Sequence, residues 1–143
     1  MEKLIIKSHK NHRSYTGSHF FILNKGLNSG KPLLTECPNS FVLQFTSKDD
    51  RDTCYWLAFS LWKTKFWHRY LVGSVILFLR IDDFKAEFCQ RYYDICSQCG
   101  GRKKWVELLQ TIEKKEITLH ENLALLADMR HAILYRYIKN RFL

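Results

Sequence analysis

From Arg102 to the C-terminal Leu143 the chain contains neither proline nor glycine. These are the two residues that most readily interrupt a helix. Proline lacks an N–H and clashes with the preceding turn, and glycine costs backbone entropy. Within the run, Trp105, Leu108, Leu109 and Ile112 form one apolar stripe at helical spacing, and Leu119, Leu123, Leu126, Ile133 and Tyr137 form another. The spacing predicts helix throughout. The run is long for one helix in a compact domain, so a break near Glu116 to Leu119 is expected; a helical hairpin and a long terminal helix both fit.

The first third reads differently. Leu4–Ile6, His19–Leu23 and Ser40–Thr46 are short runs rich in aromatic and β-branched residues, which predicts strands. Between the last two, Asn24 to Pro32 concentrates Gly, Asn, Ser and Pro, the signature of a structured loop. Ser47 followed by Asp49 and Asp50 marks a helix start, and that helix is expected to run to about Trp67. Tyr55, Phe59, Trp62 and Phe66 lie on its core face, widened by Leu57, Ala58 and Leu61. Val75–Leu79 is a continuous apolar run, expected as a strand interior to the sheet. Asp82-Asp83 opens a second helix stacked on Phe84, Phe88 and Tyr92, ended by Gly100-Gly101.

At 143 residues the expectation is a single domain, residues 1–143. Its fold class is α/β (α+β). A small N-terminal mixed sheet with a buried central helix fills residues 1–84. A helical C-terminal half, hairpin or long terminal helix, fills residues 85–143. Apolar residues make up 46% of the chain, enough for a core, which excludes a wholly disordered protein. No signal-peptide pattern opens the chain, and the longest apolar stretch, Leu71–Leu79, has about half the roughly 20 residues a spanning helix needs. A cytoplasmic protein with no membrane partner is expected. The five cysteines, an odd number, read as free thiols of a reducing compartment.

Lys and Arg total 23 against 14 acids, a formal charge of +9. The charge is segregated. Met1 to Lys31 holds six cations and one acid, Glu2. Lys63 to Arg80 holds four cations and no acid. Arg102-Lys103-Lys104 is a triplet, and only cations follow Asp128. Such segregation attracts polyanions.

Motifs for chemistry fail on spacing. Gly26 to Gly30-Lys31 lacks one residue of a phosphate loop, and Pro32 occupies the place of the magnesium-binding hydroxyl. Cys96 and Cys99 supply half of a zinc site with no second pair, and His9 and His12 stand without a third ligand. No metal site and no cofactor are expected. Arg130, His131, Tyr135 and Tyr137 do not assemble a recombinase set. Glu36, Cys37, His19, His68 and Asp82 would make an enzyme only if the fold gathered them into one pocket.

Phe20 to Pro32, Cys37-Pro38-Asn39, and Tyr55-Trp56-Leu57 through Gly73 to Ile76 resemble a small bacterial protein family with no assigned activity. Tyr55 to Leu61, Tyr70 to Ser74 and Leu79 to Phe84 are in addition similar to the closing part of a target-recognition domain in type I restriction specificity subunits. The run from Ile112 to Tyr137 resembles the spacer helix that follows such a domain. That likeness implies DNA reading by the domain and assembly by the helix, in a half-unit, a dimer of half-units or a domain reused elsewhere, since one recognition domain is present where the subunit carries two.

The expected function is a non-enzymatic nucleic-acid-binding module, with DNA ahead of RNA. Lys25, Lys31, Lys63, Lys65, His68, Arg69, Arg102, Lys103 and Lys104 are assigned to phosphate. Asn28, Ser29, Trp67 and Tyr70 are assigned to base or sugar. The alternative is a protein-interaction or homo-oligomerising module of a mobile element or defence system, acting through the C-terminal helices.

Overall fold

A computed structural model describes residues 4–98 and 101–141. Four strands, β1 (Ile5–Ser8), β2 (Ser18–Leu23), β3 (Pro32–Leu33) and β4 (Ser40–Phe45), precede helix α1 (Lys48–Lys63), a 3-10 turn (Phe66–Tyr70), α2 (Ile81–Ser97) and α3 (Arg102–Arg141). The strands form one sheet in the order β1-β4-β2-β3, and every pairing is antiparallel. The chain divides into two compact units, the first ending at Val106 and the second beginning at Glu107.

In the first unit, side-chain alternation sets the core. Phe20 pairs with Leu43 and Ile22 with Phe41, so these four enter one face of the sheet together with Phe45. Phe21 and Val42 point to the other face and are buried as well. The rings of His9, Tyr15 and His19 surround Phe21 there, with centroids 5.1–6.1 Å away.

Helix α1 begins where Ser47 accepts a hydrogen bond from the Asp49 N–H at 3.2 Å, with Asp49 and Asp50 in the positive first turn. Its buried residues are Thr53, Cys54, Leu57 and Ala58. Of the aromatic stripe expected to face the core, Tyr55 and Phe66 pack against it while half-buried, and Leu57 and Ala58 are buried as expected; Phe59 and Trp62 take the flank, half-buried. The helix stops at Lys63 rather than near Trp67, because Lys65 adopts a left-handed conformation (φ 58°) that no α-helix can carry through. The chain turns there, and the 3-10 turn swings Trp67 into the core.

Trp67 is 1% exposed and packs 5.0 Å from the Phe84 ring, which stacks on Phe88 at 5.1 Å. Phe84, Phe88 and Tyr92 are the buried face of α2, as their spacing predicts. Tyr92 donates to the Asp50 carboxylate at 2.9 Å, and Arg102 donates to the same oxygen. One acid therefore ties α1, α2 and the first turn of α3. Trp105 packs against the core from that turn.

The expected strand Val75–Leu79 is absent. Val72 and Phe78 exchange both backbone hydrogen bonds and close a tight turn at Gly73 (φ 110°), leaving Val75 92% exposed at its tip. Two further backbone groups of the run pair with a loop: Gly26 donates to Leu77 and Leu79 donates to Asn24. Leu79 alone of the run enters the core, at 2% exposure.

The second unit is helix. The break expected near Glu116 to Leu119 does not occur, and α3 is continuous from Arg102 to Arg141. From Leu109 to Tyr137 its seam positions alternate in steps of three and four, and all are apolar except Glu116 and Arg130. No helix among the described residues is long and apolar enough to cross a membrane. The four described cysteines are free thiols, and Cys99 lies outside the described residues.

Two outcomes follow from the core. The indole N–H of Trp67 is buried without a hydrogen-bond partner. Trp67→Ala is expected to lower stability by about 3–5 kcal/mol. Trp67→Phe is expected to cost far less, because it removes an unpaired donor whose burial costs about 1–3 kcal/mol. Urea unfolding checks both. Burial, the nearby Cys96 thiol and the Asp50 carboxylate push the Tyr92 phenol above its ordinary value of 10.0. A raised acid pKa stabilises the fold below pH 10 and loses that contribution as pH rises further. Wild-type stability is expected to fall more steeply above pH 10 than that of Tyr92→Phe, measured by thermal melts across alkaline pH.

Candidate nucleic-acid interface

Strands β2 and β3 are joined by the loop from Asn24 to Lys31, and its geometry is closed by its own backbone. Gly30 donates to Leu23 at 2.7 Å, Leu23 accepts Gly30 and donates to Lys31, and Lys31 donates to Asn28. The Ser29 hydroxyl donates to the Gly26 carbonyl at 2.6 Å. Gly26 and Gly30 both hold positive φ, 86° and 95°. Gly30 has a second reason to be glycine: a Cβ there would overlap Cδ1 of Trp67. The loop thus packs against Trp67 at Gly30, and His68 contacts the Leu27 carbonyl at 3.2 Å.

This packing brings together two segments far apart in sequence. Lys31 reaches from the loop to lie 5.1 Å from the centre of the Trp62 ring on α1. Lys63 lies 5.8 Å from the same ring and 5.6 Å from Phe59. Trp56, Phe59 and Trp62 form a row along α1 with centroids 5.4 and 5.7 Å apart, each half-buried. Arg69 lies 4.7 Å from Phe66, whose ring Arg91 also approaches at 5.4 Å. Cation over aromatic face is a favourable pairing that leaves the ammonium or guanidinium in water.

The residues assigned from sequence divide into three groups. Lys25, Asn28, Lys63, Lys65, His68 and Arg69 are exposed, and Lys31 is half-buried, all on the loop or on the end of α1 and the 3-10 turn. Ser29 and Trp67 are each 1% exposed. They build the loop and the core and present nothing to a ligand, because the left-handed turn at Lys65 reverses the direction Trp67 was expected to take. Tyr70 is half-buried, and loss of solvent together with Glu87 raises its phenol above the ordinary value. Arg102 is engaged with Asp50, whereas Lys103 and Lys104 are exposed on the first turn of α3.

Sequence reasoning missed Trp56, Phe59 and Trp62 as surface groups. Phe59 and Trp62 share helical spacing with Tyr55 and Phe66, which do pack against the core, and Trp56 was not singled out; Cys54, buried beside Leu57 and Ala58, was the available signal that the face is centred away from Phe59 and Trp62. Among the residues weighed for an assembled enzyme site, Glu36 pairs with His9 at 3.0 Å, His19 with the Gly17 carbonyl at 2.8 Å, and His68 with Leu27. Among the described residues no three His, Cys, Asp or Glu side chains gather as a metal-holding group.

Gly30→Ala is expected to combine backbone strain with the Trp67 clash and cost about 1–3 kcal/mol or more. Gly26→Ala has nothing within 4 Å of the added Cβ and is expected to cost only the backbone part, about 1 kcal/mol. Denaturant unfolding of the two variants side by side measures the difference.

No curated protein and no solved structure matches the chain. A family model described as a family of unknown function, DUF6943, matches residues 6–136, which takes in the sheet, α1, α2 and most of α3. The chain therefore belongs to this family of unknown function, DUF6943.

Proposed function

We propose that the chain is a nucleic-acid-binding module whose docking face is the loop Asn24–Lys31 together with the end of α1 and the 3-10 turn. The observation that carries the reading is the meeting of Lys31 and Lys63 at the Trp62 ring. Cations from two distant segments flank one half-exposed aromatic, with Lys25, Lys65 and Arg69 on the same two segments. Ammonium and guanidinium groups neutralise phosphates, and a half-exposed indole offers a face on which a base or sugar rests. Trp62 takes the stacking role first assigned to Trp67. The formal charge of +9 adds long-range attraction for any polyanion. DNA is the preferred ligand class. Its finer form, sequence-selective recognition of the kind a target-recognition likeness implies, rests on the quoted residues alone.

The test is fluorescence anisotropy with labelled duplex and single-stranded DNA, and the matching RNA, over a salt series. With about five phosphates neutralised, log affinity for duplex falls against log salt with a slope near −4 to −5. The pair Lys31→Ala and Lys63→Ala is expected to take about two units off that slope. Trp62→Ala is expected to lower affinity for single strands by about 1–3 kcal/mol while leaving the slope unchanged. Absence of binding at micromolar protein and ~50 mM salt overturns the reading. So does a lysine double variant with unaltered affinity and slope.

A further inference from the structure

The second unit presents an apolar seam to water. Ile112, Leu119, Leu123, Leu126, Ile133 and Tyr137 are between 59% and 68% exposed. A lone helix gains nothing from such a face, whereas the alternation of three and four residues is the pattern that a second helix fills. The occupant is identified by charge. Within the seam, Leu109 to Leu123 carries three acids and two cations, and Ala124 to Tyr137 carries two cations and one acid, with Lys139 and Arg141 following. The two polar seam positions repeat that order, Glu116 first and Arg130 second, with Leu123 midway between them.

We propose that α3 pairs with α3 of a second copy of this chain as an antiparallel two-stranded coiled coil along Leu109 to Tyr137. A parallel, in-register pair would set Glu116 against Glu116 and Arg130 against Arg130 in the seam, and acidic half against acidic half. Like charges so placed destabilise the pairing. Reversing one helix about the Leu123–Leu126 region lays each basic half on the other copy's acidic half. It also brings Glu116 to within about 5 Å, measured along the axis, of Arg130 of the second copy, at 1.5 Å rise per residue. The groove beside Leu126, Arg130, Ile133 and Tyr137, about 640 Å³ in volume, then receives the segment Ile112 to Leu123 of the second copy. Glu116 lies 3.7 Å from His120 on its own helix, an exposed contact of a kind worth little energy. Glu116 and Arg130 select the direction of pairing, and the apolar layers supply its strength.

Sedimentation equilibrium of the full chain without nucleic acid tests this independently of the docking face. The wild type is expected to be a dimer. Glu116→Arg alone and Arg130→Glu alone are each expected to weaken it roughly tenfold or more. The two reversals together restore opposite charges in the antiparallel pair alone, and are expected to recover affinity to within about threefold of wild type. Both positions lie outside the core of the first unit, and the near-ultraviolet signal of buried Trp67 verifies that each variant is folded. A monomer at ~100 µM, an assembly larger than a dimer, single reversals without effect, or a double variant no tighter than the singles overturns the proposal.

Discussion

Trp67 is the side chain on which the first unit is organised. Its ring is covered on one side by the glycine backbone of the β2–β3 loop and meets Phe84 of α2 on another. Three separate pieces of chain therefore share one buried surface: the loop, the 3-10 turn and the second helix. The close approach is possible only because position 30 has no side chain, and the turn exists only because Lys65 leaves helical geometry. Both local departures from regular structure serve the same packing event. The consequence is positional. The loop is held against the end of α1, so Lys31 and Lys63 meet at the Trp62 ring.

A second tie works through polar groups. Asp50, placed in the first turn of α1 by the Ser47 cap, accepts from Tyr92 and Arg102. The charged hydrogen bond from the guanidinium and the neutral one from the phenol satisfy the acid from two elements at once. The arrangement takes Arg102 away from any ligand. It leaves Lys103 and Lys104 exposed on the first turn of α3, an element other than the loop and the end of α1. The fold thus commits Arg102 of the triplet to an ion pair, which composition alone does not reveal.

Local signals in the sequence were readable where local physics decides the outcome. The Ser47 cap, the stacking of Phe84, Phe88 and Tyr92, and the aromatic strands β2 and β4 all stand where periodicity and propensity place them. The loop at Asn24–Lys31 was legible from its glycines, though not the reason for Gly30, which depends on a ring thirty-seven positions away in the chain. What failed was decided by tertiary competition. Val75–Leu79 has strand composition, but its backbone partners are the β2–β3 loop and its own turn. Trp62 and Trp67 look alike in sequence, yet one left-handed residue between them puts the first on the flank and the second in the core. The length of α3 argued for a break that its uninterrupted helix-forming residues do not make. The charge order of its seam was in the sequence throughout and acquires meaning only once the helix is continuous.

The claim on which the proposed function stands is that the loop and the end of α1 form the surface a polyanion meets. Amide and indole N–H NMR spectra recorded during titration with a short single-stranded DNA test it most directly. The chain has four indoles, at Trp56, Trp62, Trp67 and Trp105. The account predicts that the Trp62 indole and the amides of residues 25–31 and 63–69 shift together while the Trp105 indole stays in place. Shifts confined to Lys103, Lys104 and the rest of α3, with Trp62 unmoved, would contradict it.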